Sequence, residues 1–215
     1  MHLKRHKAPK KWPIPRKGSV YIVRPSSNLK KGIPVLIIIR DILKLAQNKK
    51  ETKKAIYEKN ILLNKKPLRD EKYGALLFDV ITIVPSGKNY RVEMSENGKF
   101  KIEEIKKQDS ETKVSKIVGK KILKGKKTQL NLMDGKNFLS NLKCNINDSV
   151  VVEFDKEKIG KCISLKENSK AIVFDGKHTG KSGIINKIDN KKKKVEMKIN
   201  EKVINVLIKQ IMVLE

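Results

Sequence analysis

Acidic side chains are scarce in this chain: 23 Asp and Glu stand against 51 Lys and Arg, leaving a formal charge of +28 over 215 residues. A compact free monomer with that excess repels itself, whereas a polyanion with closely spaced phosphates neutralises it and releases condensed counterions. The plain alternative is a solvated lysine-rich surface in a chain also rich in Ile and Asn. Arginine is scarce too, limited to Arg5, Arg16, Arg24, Arg40, Arg69 and Arg91. Because lysine acts as a point charge rather than a bidentate fork, contacts to phosphate and to RNA shape are expected more than readout of base edges.

Long apolar runs are also missing. The one strongly apolar stretch, Ile33 to Ile39, contains Pro34 and ends at Arg40, far short of the roughly 20 residues that span a bilayer. The basic N-terminus HLKRHKAPKKWPIPRK has no apolar core of a secretory signal, so a cytoplasmic protein with no membrane partner is expected. Cysteine is limited to Cys144 and Cys162, each without a His or second Cys at ligand spacing. They read as small, partly buried apolar residues, and no metal site is expected.

Catalytic constellations are equally absent. His178 has no Ser, Cys or carboxylate pattern around it, and Asp70 and Asp79 read as turn formers or local ion-pair partners. The loop DGKHTGKSG, Asp175 to Gly183, ends like a phosphate-binding loop, but Asp175 stands where that motif needs its first glycine. Apolar strand-like segments flank it on both sides, where a phosphate loop must lead into a helix. No catalytic residue, no cofactor and no small-molecule substrate is therefore expected. Gly176, Gly180 and Gly183 suit positive φ or close backbone approach, and Lys177, His178 and Lys181 make the loop a candidate RNA contact.

What is present falls into four segments. Residues 1–32 carry no acidic side chain and read as an extended basic arm that orders on RNA. Its candidate contacts are Lys4, Arg5, Lys7, Lys10, Lys11, Arg16 and Lys17, together with Trp12, which could either stack on a base or pack against the protein. Residues 33–84 show Leu36, Ile39, Leu43 and Ala46 at helical spacing after Pro34, with Arg40 on the same segment. A second helix follows over Asn48 to Asn60, with Asn48 and Glu51 as a variant capping box. Its first turns display Lys49, Lys50, Lys53 and Lys54, the main candidate RNA face. Reversing these four charges is expected to abolish RNA binding and leave the fold intact. Strands are predicted at Ile61 to Leu63 and Phe78 to Val84.

Residues 85–170 offer short strands at Tyr90 to Met94, Phe100 to Ile105, Thr128 to Met133 and Val150 to Phe154. Hairpin turns are expected at Asn97-Gly98 and Asp134-Gly135. Residues 171–215 alternate as a small β-barrel: Ala171 to Phe174, Ile184-Ile185, Val195 to Ile199 and one or two strands within Val203 to Leu214. The fold class is α+β. An RNA-modifying enzyme would need a further catalytic domain of roughly 100 residues or more. A factor that touches a polymerase or ribosome transiently would need an apolar or acidic partner surface instead of this charge.

The segments HLKRHKAPKKWPIPRK, IPVLIIIRDILKLA, FDVITI and FDGKHTGKSGIINKI occur in this order, and on them the chain resembles the ribosomal S4e family in its archaeal form. By that resemblance 33–84 is similar to the alpha-L RNA-binding domain, 85–170 to the β-rich central domain of the family, and 171–215 to an SH3-like KOW barrel. The resemblance implies a place in the small ribosomal subunit, with 16S ribosomal RNA and neighbouring small-subunit proteins as partners, and neither cofactor nor catalysis. The alpha-L pattern commonly has glycine where this chain has Lys59 and Lys65, so those turns are expected to differ locally, with Asn60 and Asn64 taking left-handed geometry. Ending at Glu215, the chain is also expected to lack the C-terminal extension of longer members.

Overall fold

A computed structural model of the protein describes residues 2–124, 127–189, 191–199 and 202–214; the chain end at Glu215 lies outside them. Strands dominate and helices are few. The chain forms two compact units, one of residues 1–94 and 99–111 and the other of residues 95–98 and 112–215.

In the first unit, Ile33–Pro34 pairs with Gly74–Ala75 and leads into helix α1, Val35–Ile37. The helix runs on as a π-helical turn, Ile38–Ile42, in which Leu43 N–H reaches back five residues to the Ile38 carbonyl. Val35 through Ile38 are fully buried, so this helix is apolar all round rather than striped, as a central core element must be. It is shorter than the spacing to Ala46 suggests: Lys44 adopts φ +54 and breaks it, while Ala46 is still buried in the core from the loop.

Helix α2, Lys49–Tyr57, follows. The Asn48 side chain accepts from Glu51 N–H at 3.0 Å, and the Glu51 carboxylate accepts from Gln47 N–H at 2.7 Å and from Asn48 Nδ2 at 2.9 Å. This is the expected reciprocal cap shifted by one backbone donor. The far end is a Schellman turn: Lys59 N–H bonds the Ile56 carbonyl and Asn60 N–H bonds the Ala55 carbonyl.

A five-stranded antiparallel sheet completes the unit, in the spatial order Lys66–Pro67, Ile61–Leu63, Val80–Ile83, Lys88–Met94, Phe100–Ile105. It runs straight past Val84, so the hairpin around Asn97-Gly98 continues the sheet of the preceding segment instead of opening a new one. Buried Asp79 ties the sheet to the Asn64 turn. Its carboxylate accepts from Asn64 Nδ2 and Leu76 N–H, while Asn64 Oδ1 accepts from Val80 N–H.

The N-terminal segment is not the extended arm its charge suggests. Leu3–Lys4 pairs with Tyr21–Ile22, and Leu3, Ala8, Trp12 and Ile22 belong to the same core as α1 and the sheet. Arg5 and Arg16 tie the segment together by donating to the carbonyls of Ser19 and Pro15 and of His6 and Ala8. Four apolar anchors and this cross-bracing offset the cost of ordering a proline-rich strap.

The second unit contains two five-stranded antiparallel sheets. One is built on Thr112–Ile122, an eleven-residue strand with the sequence TKVSKIVGKKI. Its lysine content hid it from the apolar pattern, yet Lys113 and Lys116 are buried. Lys113 Nζ pairs with Asp134 at 2.5 Å, and Lys116 Nζ donates to the carbonyls of Ile208 and Ile211. The other sheet has the order Lys202–Leu207, Lys194–Ile199, Ser182–Asp189, Lys170–Val173, Ile211–Val213. Its core is Ala171, Val173, Ile185, Val195, Met197, Val206, Ile208, Ile211 and Val213.

Candidate nucleic-acid interface

Helix α2 shows only Thr52 and Ile56 to the interior, which turns Lys49, Lys50, Lys53 and Lys54 outward on its exposed face. One carboxylate organises them. Glu71, with its side chain 8% exposed, accepts from Lys49 Nζ at 3.2 Å and forms an ion pair with Lys53 Nζ at 3.7 Å. Burial alone would push this carboxyl up. Its backbone hydrogen bond, those involving Lys49 and Asp70, and the nearby Lys53 charge together hold it below the usual carboxylate range. Reversing all four lysines would therefore place two new carboxylates beside a buried anion, and the expectation that this leaves the fold untouched does not hold.

Past the last turn of α2 the surface opens into a cleft of about 730 Å³. Its apolar lining is Ile56, Pro67 and Leu68, and its basic lining is Lys53, Lys54, Lys59 and Arg69, with Tyr57 and Glu71 also present. Tyr57 is 90% exposed. Arg5, Arg16, Arg40 and Arg91 each donate to a protein oxygen, whereas Arg69 has no such partner among the described residues. Sequence reasoning passed over Tyr57, Lys59 and Arg69. The signal for Tyr57 was its position three and four residues after Lys54 and Lys53, on the same helical face; Arg69 joins it only through folding.

The remaining candidates separate by environment. Lys4, Lys7, Lys10 and Lys17 are exposed on the N-terminal strap, and Lys11 is partly covered. Trp12 is 2% exposed and donates its Nε1–H to the Gly32 carbonyl at 3.0 Å, so of its two open fates the structure has packing. Arg5 and Arg16 are engaged in bracing the strap. Arg40 forms a two-point bond with Asp41 at 2.9 Å, which pushes its already high pKa further up.

In the second unit, the loop between Lys170–Val173 and Ser182–Asp189 joins two strands, which is incompatible with a phosphate loop. Gly176 and Gly180 adopt φ +94 and +90, and a Cβ on Gly183 would lie 2.3 Å from the Lys198 carbonyl, so each of the three glycines has its own reason. Lys177 and Lys181 are exposed there and His178 is partly covered. No group of three or more His, Cys, Asp or Glu able to hold a metal occurs among the described residues.

Two family models match the chain: one described as ribosomal family S4e over residues 86–159, and one described as RS4NT (NUC023) domain over residues 1–27. The chain is 37% identical over 191 residues to small ribosomal subunit protein eS4 of Methanothermobacter thermautotrophicus, covering 87% of this chain and 79% of that one. It is 35% identical over 191 residues to the protein of that name from Nanoarchaeum equitans, covering 87% and 82%. The crystal structure of the 30S ribosomal protein S4e from Thermoplasma acidophilum superposes with a TM-score of 0.74 at 26% identity, covering 86% of this chain and 95% of that one.

Proposed function

The chain belongs to the ribosomal S4e family, and from that membership we infer that it is a structural constituent of the small ribosomal subunit, held there by 16S ribosomal RNA and neighbouring subunit proteins. It is not an enzyme, and it works in the cytoplasm as part of translation. We read 33–84 as an alpha-L RNA-binding domain, 85–170 as the central domain and 171–215 as a KOW barrel, with the strap 1–32 contributing exposed lysines. This functional division crosses the two compact units, because the sheet begun by the alpha-L segment is extended by the first hairpin of the central one.

The observation that carries the reading is the lysine array of α2, four cations on the exposed face of one helix. Such an array meets several phosphates at once and gains from counterion release. Lys177, His178 and Lys181 on the barrel loop form a second proposed contact.

The test is a Lys50→Glu, Lys54→Glu double variant, which spares the two lysines paired with Glu71. Circular dichroism should match the parent protein, apart from a few tenths of a kcal/mol for the like-charge pair that the second substitution creates with Glu58, four residues on. Sedimentation at high salt should show the variant lost from the small subunit. Normal incorporation would mean that α2 is not the RNA-facing element.

A further inference from the structure

We propose that the cleft beyond α2 receives one unpaired nucleotide of the bound RNA, its base stacked on Tyr57 and its flanking phosphates held by Lys59 and Arg69. This rests on the reading of α2 as an RNA face and specifies what that face recognises. A lysine array recognises phosphate and shape alone, and would need neither an aromatic surface nor a concavity. Here both are present: a tyrosine ring 90% exposed, an apolar lining of Ile56, Pro67 and Leu68, and a volume of about 730 Å³, within the roughly 300–1,000 Å³ range of sites that hold small ligands.

The charge around the cleft selects the occupant. Lys53, Lys54, Lys59 and Arg69 line it against one carboxylate, Glu71, which is already turned to Lys49 and Lys53. Lys54 lies 3.9 Å from Glu58. Lys59 and Arg69 form no ion pair among the described residues, so they face outward for an anion from elsewhere. An aromatic plane beside two uncommitted cations is the arrangement by which proteins hold a base splayed out of an RNA loop or bulge. A duplex, with its bases stacked inside, presents nothing for Tyr57 to cover.

The backbone supports the same assignment. Lys59 occupies the left-handed position after α2 at φ +58, where glycine is the unstrained residue. The chain holds a cation there against local preference, on the lining of the cleft.

The experiment compares the full-length protein with Tyr57→Ala, Tyr57→Phe and Arg69→Ala against three probes: an oligouridine of about eight nucleotides, an RNA duplex of about 16 base pairs, and inorganic polyphosphate matched in charge to the oligouridine. Tyr57→Ala should weaken oligouridine binding by roughly 5- to 150-fold and leave duplex and polyphosphate binding unchanged. Tyr57→Phe should restore binding to the oligonucleotide, and Arg69→Ala should weaken binding of both oligouridine and polyphosphate. The proposal is overturned if Tyr57→Ala binds oligouridine like the parent, or if it loses polyphosphate to the same degree, which would make the cleft a site for charge alone. The Lys50→Glu, Lys54→Glu variant separates the two levels: normal duplex binding by it refutes the wider reading of α2, whatever Tyr57 does.

Discussion

Replacing Lys59 with glycine should make the protein more stable and a poorer RNA binder. Lys59 N–H closes on the Ile56 carbonyl at 3.0 Å and Asn60 N–H on the Ala55 carbonyl at 2.9 Å, so the turn needs left-handed geometry at position 59, observed at φ +58. A residue with a Cβ loses roughly 1–2 kcal/mol in that region. Glycine removes this strain but brings about 0.5–1 kcal/mol of extra freedom to the unfolded chain. At the middle of both ranges the net gain is about 0.7 kcal/mol, and with a urea slope of about 2 kcal/mol per molar the midpoint should rise by a few tenths of a molar. Trp12, the single tryptophan and 2% exposed in the same core, reports this unit by its fluorescence. In RNA binding, loss of one cation should lower the salt slope for oligouridine by about 0.7. Lys59→Ala should show the same loss of slope with stability within about 0.5 kcal/mol of the parent, since it keeps the strained geometry. A Lys59→Gly variant no more stable than the parent would refute the strain argument, and an unchanged slope would remove Lys59 from the interface.

Other outcomes can be measured with the same protein. Binding to ribosomal RNA should fall with salt at a logarithmic slope of about −4 to −5 if roughly six phosphates are neutralised; a slope near zero would defeat the electrostatic reading. Trp12→Phe, which orphans the Gly32 carbonyl, should cost about 1–3 kcal/mol of stability followed by circular dichroism, while the folded variant keeps its RNA affinity; a loss of affinity would mean that Trp12 contacts RNA after all. Burial holds Lys116 down at about 8, below its ordinary 10.5. The unfolded chain then binds more protons between those values, so this group costs stability below pH 8, about 3 kcal/mol in full, and the cost fades as pH rises toward 10.5. The stability difference between the parent and Lys116→Met should therefore shift in favour of the parent across that window in urea titrations; a difference flat with pH would refute the shift.

Features set over a few residues were legible in the amino-acid order itself. The net charge pointed to a polyanion, the Asn48 and Glu51 cap marked the start of α2, Asn97-Gly98 and Asp134-Gly135 marked two hairpins, and alternation marked the strands after Lys170. Each depends on neighbours within a turn or a hairpin, where propensity and hydrogen bonding act without help from the rest of the chain. The two left-handed turns were only half visible: in the turn after Ile61–Leu63 Asn64 adopts the geometry as expected and Lys65 joins it, but after α2 Lys59 takes it in place of the expected Asn60, held by the hydrogen bonds that close that turn. Tertiary structure decided the rest. It closed Trp12 into the core through Gly32, 20 residues away. It sank Lys116 against Ile208 and Ile211, over separations of 92 and 95 residues, carried the first sheet across Val84, and placed Arg69 on the same cleft as Tyr57. Burial of a lysine or a tryptophan, and the gathering of an arginine and an aromatic ring around one cleft, depend on which distant segments are brought together, and no local pattern encodes that.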